Sequence, residues 1–499
     1  MASSEPLQLT IANPNGSSTT FALSGSAILS VRRTGDKKWS HVEVPVRQVL
    51  YAEVTPDNAL EMSLLARKKK KGPLSLVHIS GHVQETEQAA AASFVTELMQ
   101  AAYDGVEPRR RLKVLVNPKS GPGKSVSLYH DKVEPILKAA RCTVDLTITS
   151  HSLHALEIAK DLSLDRYDAV ATMSGDGLVF EVVNGFAKHA EPMKAFRIPI
   201  TPIPSGSGNG LALNILGLKD GYDVTVAALN AVKGRPMSID MFSVTQGDQR
   251  IFSFFSQAVG LMADLDLGTE HLRFLGSTRF VVGFLQAVAK NKKCPIKLHM
   301  KVVESDKVRM VEQLHAARSE NLPTSIANAG ERETSDLAAE QSNGESPLSS
   351  ALPELKYSNA DTKDWVTFDK PILYVYAGKG PFVSRDLMQF PVSLPNDGLI
   401  DIVVQEVSTR GQMLKAMDGA EKGAQFWMDT QHYFKAEAYR VEPTSSKGLL
   451  SVDGEAYPFE PFTVEVHKGL ATLLSPCGYY QADFDLPRRR APAIATNTR

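Results

Sequence analysis

Over the first hundred positions apolar and polar residues alternate in short runs. His41-Val42-Glu43-Val44 and Leu74-Ser75-Leu76-Val77-His78-Ile79 show the two-residue period of half-buried strands, Gly and Asp turns break such runs, and 89–102 switches to helical spacing. The pattern predicts a small β-rich module closed by a helix, residues 1–105. From Leu112 to about Gly217 the order becomes strand, Gly-bearing loop, helix, four times over, with strands at 113–116, 144–149, 169–173 and 197–203. Buried β runs alternating with amphipathic helices predict an α/β domain, residues 108–236, built on a Rossmann-like parallel sheet that binds its ligand at the carboxyl ends of the strands. After Met237 strands dominate, at 239–245, 250–257, 296–303, 371–377, 399–404, 440–442, 449–452 and 462–466, with helical stretches near 278–290 and 411–423. That pattern predicts a mainly antiparallel, β-sandwich-like domain, residues 237–482, followed by a flexible tail, 483–499. Between 313 and 362 Ser, Ala, Glu, Asn and Pro replace nearly all aromatic residues, which predicts a disordered insertion because too little surface can be buried to offset ordering entropy.

Composition narrows the function. The 499 residues suit two or three folded units, and 43% hydrophobic with 22% charged residues excludes wholesale disorder, collagen and coiled coil. Lys and Arg number 55 against 56 Asp and Glu, so no net field draws the molecule onto nucleic acid and any anion site is local. Cys142, Cys294 and Cys477 are scattered and odd in number, fitting neither a disulfide framework nor a Cys-rich zinc site, and point to a reducing, cytoplasmic setting. Residues 1–22 lack the basic and apolar regions of a secretory signal. No stretch reaches the roughly 18–20 apolar residues of a spanning helix, since 280–289 is flanked by Arg279 and Lys290. Membrane contact would therefore be peripheral. The run Arg67-Lys68-Lys69-Lys70-Lys71 offers one surface for reversible association with an anionic leaflet, and a solvated loop is the alternative.

Three loops carry candidate chemistry. Asn117-Pro118-Lys119-Ser120-Gly121-Pro122-Gly123-Lys124-Ser125 follows the first parallel strand and opens a helix, where unpaired N–H groups favour phosphate. It is not a Walker loop, because Pro118 stands where that pattern needs glycine. Ser174-Gly175-Asp176-Gly177 ends the third strand and presents one carboxylate between two glycines; an ordinary turn is the bland alternative. Pro204-Ser205-Gly206-Ser207-Gly208-Asn209-Gly210 ends the fourth, and Leu211 breaks the dinucleotide-binding GxGxxG pattern. Three such loops on one sheet edge, with one Asp among them, suit a nucleoside triphosphate and a hydroxyl acceptor.

These motifs, with the late Val452-Asp453-Gly454-Glu455, resemble the diacylglycerol-kinase superfamily. The segment Gly260-Leu261-Met262-Ala263-Asp264-Leu265-Asp266, continuing through Glu270, Arg273, Gly276 and Arg279, is similar to that of the sphingosine (sphingoid long-chain-base) kinases within it. The resemblance covers roughly 112–303 and 370–478. It implies an ATP- and Mg²⁺-dependent kinase acting on the primary hydroxyl of a sphingoid base. Asp176 becomes the base, and Ser174, Gly175, Gly177 and Asp266 join it around the acceptor, Asp266 as the head-group acid. Asn117, Pro118, Lys119, Thr149, Ser150, His151, Ser152, Leu153 and Glu181 would line the nucleotide, Gly206, Ser207, Gly208, Arg273 and Arg279 would meet its phosphates, and Asp453, Gly454 and Glu455 would close the site from the second domain. No residue is assigned to the metal. Lys119 stands where many relatives carry Arg, which loosens the expected phosphate contact. Diacylglycerol or ceramide as acceptor, and a noncatalytic lipid-binding role, remain the rival expectations.

Overall fold

The computed structural model describes residues 7–25, 27–34, 41–67, 72–268, 292–321, 351–357 and 363–487. The strands β1 (Leu7–Ala12), β2 (Ser18–Ser24), β3 (Ile28–Arg33), β4 (His41–Pro45), β5 (Val49–Val54), β6 (Ala59–Arg67) and β7 (Leu74–His82) form one antiparallel sheet in the order β4-β3-β2-β1-β7-β6-β5. Helix α1 (Gln88–Ala102) packs its Ala91, Phe94, Leu98 and Ala102 stripe against it, as the spacing of apolar positions dictates. This module is not tethered loosely. Its core and that of the next domain belong to one apolar cluster, from Leu9 through Leu112 to Leu474.

Four parallel strands follow: β8 (Arg111–Val116), β9 (Thr143–Ile148), β10 (Ala169–Ser174) and β11 (Ile200–Pro204), in the order β9-β8-β10-β11. Every residue of β10 and β11 is buried, whereas edge strand β9 is half exposed, so the continuous apolar runs and the mixed one report their places in the sheet. Helices α2 (His154–Lys160), α3 (Asp176–Ala187), α4 (Gly210–Asp220) and α5 (Val224–Lys233) belong to this layer.

The antiparallel domain comprises β12 (Arg235–Gln246), β13 (Gln249–Ser253), β14 (Ser256–Gly260), α6 (Leu261–Gly268), β15 (Ile296–Glu304), α7 (Lys307–Asn321), β16 (Val366–Thr367), β17 (Ile372–Gly378), β18 (Phe382–Ser384), β19 (Leu387–Met388), β20 (Ile400–Glu406), β21 (Gln431–Pro443), β22 (Leu450–Val452), β23 (Glu455–Tyr457) and β24 (Phe462–Ser475). The 14-residue β24 joins the two sheets: it pairs antiparallel with β12 and β21, and parallel with β11 at Ile200 and Leu473.

Several expected boundaries need correction. The expected strand 250–257 is two strands, because the backbone N–H groups of Phe254, Phe255 and Ser256 turn away to the Asp453 carboxylate. The segment expected to be unstructured from 313 begins inside α7, whose Met310, Val311 and Leu314 are buried in a second apolar cluster with Phe426 and Phe484. At the other end of that segment Lys356 and Tyr357 donate their backbone N–H groups to the buried Glu465 carboxylate. Residues 322–350, the expected helix 278–290 and the basic run 68–71 lie outside the described residues, apart from Arg67.

Candidate active site

The loops after β8, β9, β10 and β11 emerge on one edge of the parallel sheet and are knitted to one another. Ser174 Oγ donates to Ser120 Oγ (3.1 Å), Ser125 Oγ donates to Ser205 Oγ (2.9 Å), and Ser205 N–H donates to Ser174 O (3.0 Å). Asn117 accepts the Lys119 N–H on its own Oδ1 (3.0 Å), an Asx turn that leaves the Lys119 side chain exposed at the rim beside Pro118. Gly175 and Gly206 touch so closely that a Cβ on Gly206 would stand 2.4 Å from Gly175 N, so no larger residue fits without moving a loop. Ser207 and Gly208 are exposed at the crest, and the space beside Gly208 is open apart from Asp176 Oδ2 at 3.9 Å. Polar backbone on one side and open space on the other is what a polyphosphate needs.

Asp176 begins α3 and is half-buried. Its Oδ2 accepts from Gly210 N–H (2.7 Å) and its Oδ1 from Leu211 N–H (3.1 Å), at the start of α4. Burial pushes its carboxyl above the ordinary aspartate range, and these two donors pull it back. A carboxylate so placed can accept a proton from a hydroxyl set beside it.

Thr149 is buried at the end of β9 and donates its N–H to Val116 O (2.8 Å). Ser150 N–H donates to His154 Nδ1 (3.1 Å), His151 stacks on His154, Ser152 is exposed, and Leu153 adopts a left-handed φ of 67° before α2 begins. Glu181, on α3, accepts the Ala155 N–H (3.0 Å). Burial raises its carboxyl while backbone donors at Leu153, Ala155 and Leu156 lower it. Its carboxylate therefore caps α2 and fixes the 149–153 loop.

From the second domain, Glu455 Oε1 lies 3.7 Å from where a Cβ on Gly177 would be, over the start of α3, with exposed Gly454 beside it. Asp453 faces the other way. Its carboxylate is buried and accepts from Ser253 Oγ (2.7 Å) and from the N–H groups of Phe254 (3.0 Å), Phe255 (3.1 Å) and Ser256 (2.7 Å), burial raising its carboxyl to about 6. It shapes the second domain's edge, which leaves Glu455 as the residue of that motif over the start of α3. Asp266, on α6, accepts from Ser451 Oγ (2.5 Å), one residue before Val452. Arg273 and Arg279 lie outside the described residues.

A protein named sphingoid long chain base kinase 4, from Schizosaccharomyces pombe, is 30% identical over 445 residues, covering 88% of this chain and 89% of that protein. The chain belongs to the sphingoid long chain base kinase family. Sphingoid long chain base kinase 5 of Saccharomyces cerevisiae is 30% identical over 82% of this chain and 65% of its own length, and human sphingosine kinase 1 is 28% identical over 75% and 93%. The diacylglycerol kinase catalytic domain matches residues 111–244, and the YegS C-terminal NAD kinase beta sandwich-like domain matches 366–475. A crystal structure of a diacylglycerol kinase from Bacillus anthracis str. Sterne aligns at 14% identity and a TM-score of 0.44, over 73% of this chain and 97% of that one.

Residues that sequence reasoning passed over complete this kinase-family site. Asn209, buried, holds its loop through Gly206 N–H to its Oδ1 (3.1 Å) and its Nδ2 to Gly206 O (2.7 Å). Ser120, Ser125 and Ser205 form the hydroxyl bridges. The signal for Asn209 was its place directly before a helix, where an amide side chain is favoured.

Proposed function

We propose that the protein transfers the γ-phosphoryl group of ATP to the primary hydroxyl of a sphingoid long-chain base, such as sphingosine, dihydrosphingosine or phytosphingosine, giving the 1-phosphate. The observation that carries this reading is the half-buried Asp176 carboxylate, set where the glycine loops of a kinase-family sheet converge. With the alcohol beside it, Asp176 accepts the hydroxyl proton as the new O–P bond forms, the bond from the γ-phosphorus to the bridging oxygen breaks, and ADP leaves with that oxygen. Gly206, Ser207, Gly208, Asn117, Pro118 and Lys119 hold the polyphosphate, and Thr149, Ser150, His151, Ser152 and Leu153, braced by Glu181, form the wall beside it. Asp266 pairs with the charged amine of the base, a partner that uncharged diacylglycerol does not offer. Arg273 and Arg279 follow the family motif as phosphate contacts.

Among the described residues no group of three acidic, His or Cys side chains could hold a metal by itself. That fits Mg²⁺, which is usually held by one or two carboxylates together with substrate phosphates and water. Glu455, its carboxylate over the start of α3, would hold it. When bound, the ion neutralises charge on the phosphates.

No helix among the described residues is long and apolar enough to cross a membrane. We place the enzyme in the cytoplasm, in reversible contact with membranes, supported by the free thiols of Cys142, Cys294 and Cys477 and by the basic run at 67–71. Incubating the purified chain with ATP, Mg²⁺ and sphingosine, diacylglycerol or ceramide tests the reading. Phosphate incorporation into sphingosine alone is expected. Preference for either neutral lipid would reassign the acceptor, and none with any lipid would end the proposal.

A further inference from the structure

Asn214 lies in the middle of α4 and is 1% exposed. Asparagine is a poor helix former, and here it interrupts an apolar run, Leu211-Ala212-Leu213-Asn214-Ile215-Leu216. Its side chain has specific partners. Nδ2 donates to Gly210 O (2.9 Å) and to Phe382 O (2.9 Å), while Oδ1 accepts the Phe382 N–H (2.8 Å). The amide thus uses both its hydrogens and pairs with the β18 backbone as a neighbouring strand would. One end of the latch is the second domain, and the other is Gly210, the residue whose N–H holds Asp176 Oδ2 at 2.7 Å.

Gly210 is gripped on three sides. Its N–H reaches Asp176, its carbonyl receives the Asn214 amide, and its Cα face lies against Phe255, where an added Cβ would come within 2.3 Å of the ring. Phe255 is itself fixed, donating its N–H to Asp453 (3.1 Å) and accepting the Lys379 N–H on its carbonyl (2.8 Å). A path of direct contacts therefore runs from the second domain through Phe382 and Asn214 to Gly210 and the Asp176 carboxylate.

We infer that Asn214 is a positioning residue for Asp176, holding the first turn of α4 so that the Gly210 and Leu211 N–H groups aim the carboxylate at the acceptor hydroxyl. The inference rests on Asp176 being the base. Two consequences follow from the geometry. Releasing Gly210 misplaces the carboxylate, and misplacement by about 1 Å can cost about 100-fold in rate. Release also weakens donors that favour the ionised form, so the pH at which Asp176 takes up its proton rises.

The test compares three variants of the full chain, each first checked for a cooperative thermal transition. In Asn214→Leu, kcat on detergent-dispersed sphingosine is expected to fall roughly 10- to 100-fold, with KM for ATP unchanged and the acid limb of the kcat–pH profile moved to higher pH. Gly380→Ala presses on the same amide from the second domain, because its Cβ would stand 2.5 Å from Asn214 Nδ2 at a φ of 93°, and should shift the limb the same way. Asn230→Leu removes an equally buried amide that bonds Leu474 O (2.8 Å) from α5, with no contact to Asp176; it should cost stability and leave the limb in place. If Asn214→Leu fails to fold, Gly380→Ala carries the decision. An unmoved limb in the folded variant, or the same kcat loss in Asn230→Leu, overturns the inference. Asp176→Asn separates the underlying reading: near-normal turnover there would remove the base itself, whereas an inactive Asp176→Asn with an unmoved limb in the latch variants would remove only the positioning role.

Discussion

At the scale of single residues, three aspartates that look alike in sequence do different work. With Asp176 as the proposed base, Asp176→Asn should lower kcat by about 100-fold or more with ATP binding nearly intact, measured by steady-state kinetics and nucleotide titration. Because burial raises its carboxyl, turnover by the parent enzyme should fall with acid at a pH above the ordinary aspartate range. Asp266 is the proposed partner of the head-group amine. Asp266→Ala should raise KM for sphingosine roughly 10- to 100-fold and leave that for ATP, the effect of losing about 1.5–3 kcal/mol. Asp453 is structural: Asp453→Ala leaves Ser253, Phe254, Phe255 and Ser256 without their acceptor, and each buried unpaired donor costs about 1–3 kcal/mol. Denaturant melts should show a loss of at least about 3 kcal/mol. The place of Asp176 beside the glycine loops was legible because it stands between glycines at a strand end. The role of Asp453 was not, because its partners lie 197–200 residues earlier in the chain and nothing local marks them.

At the scale of elements, the parallel strands were legible because unbroken apolar runs have few other uses, and two of the misread strands hide a charge or a glycine. Only 440–442 of β21 was expected. The strand also holds Lys435, 2% exposed, which reads as surface yet is paired with Asp397 (2.8 Å) and Asp401 (3.0 Å). The expectation for β24 stopped at 466, before His467, Lys468 and Gly469. Gly469, with φ of 60°, instead packs against Ser238 beside a register shift between Ile239 and Met241, and the ladder resumes beyond it. Helix α7 was lost in a polar composition because Met310, Val311 and Leu314 are the only buried apolar residues among its described side chains. The segment worth deleting is accordingly narrower than 313–362. Deleting 322–350 with a short linker should preserve activity and melting temperature, since loop closure costs grow only slowly with length. Extending the cut over 316–360 should lower the melting temperature, because it removes Arg318, which donates to Ala482 O, and the Lys356 and Tyr357 N–H groups that satisfy Glu465. Thermal melts of both deletions check this.

At the scale of the whole molecule, the N-terminal module is part of the enzyme's body. Arg47 donates to Pro476 O (2.8 Å) and Lys233 O (3.3 Å), and Lys233 Nζ donates back to Ala102 O (2.8 Å) beside the Tyr103 ring. Burial pushes the Lys233 amine down to about 6. A base whose folded pKa is depressed withdraws stability as pH falls from its unfolded value, about 10.5, toward the folded one. The parent should therefore gain up to about 2–3 kcal/mol between pH 7 and pH 9 that Lys233→Met does not, read from denaturant melts at both pH values. The join made by β24 governs how the chain is born. Residues 200–246 leave the ribosome more than 200 residues ahead of the strand that completes their sheet. At about 5–20 residues per second that interval is roughly 10–50 seconds, during which the edges of β11 and β12 lack their partner. A nascent kinase domain must be shielded through that interval, and a message truncated before codon 462 yields no smaller working enzyme but an open sheet edge awaiting aggregation.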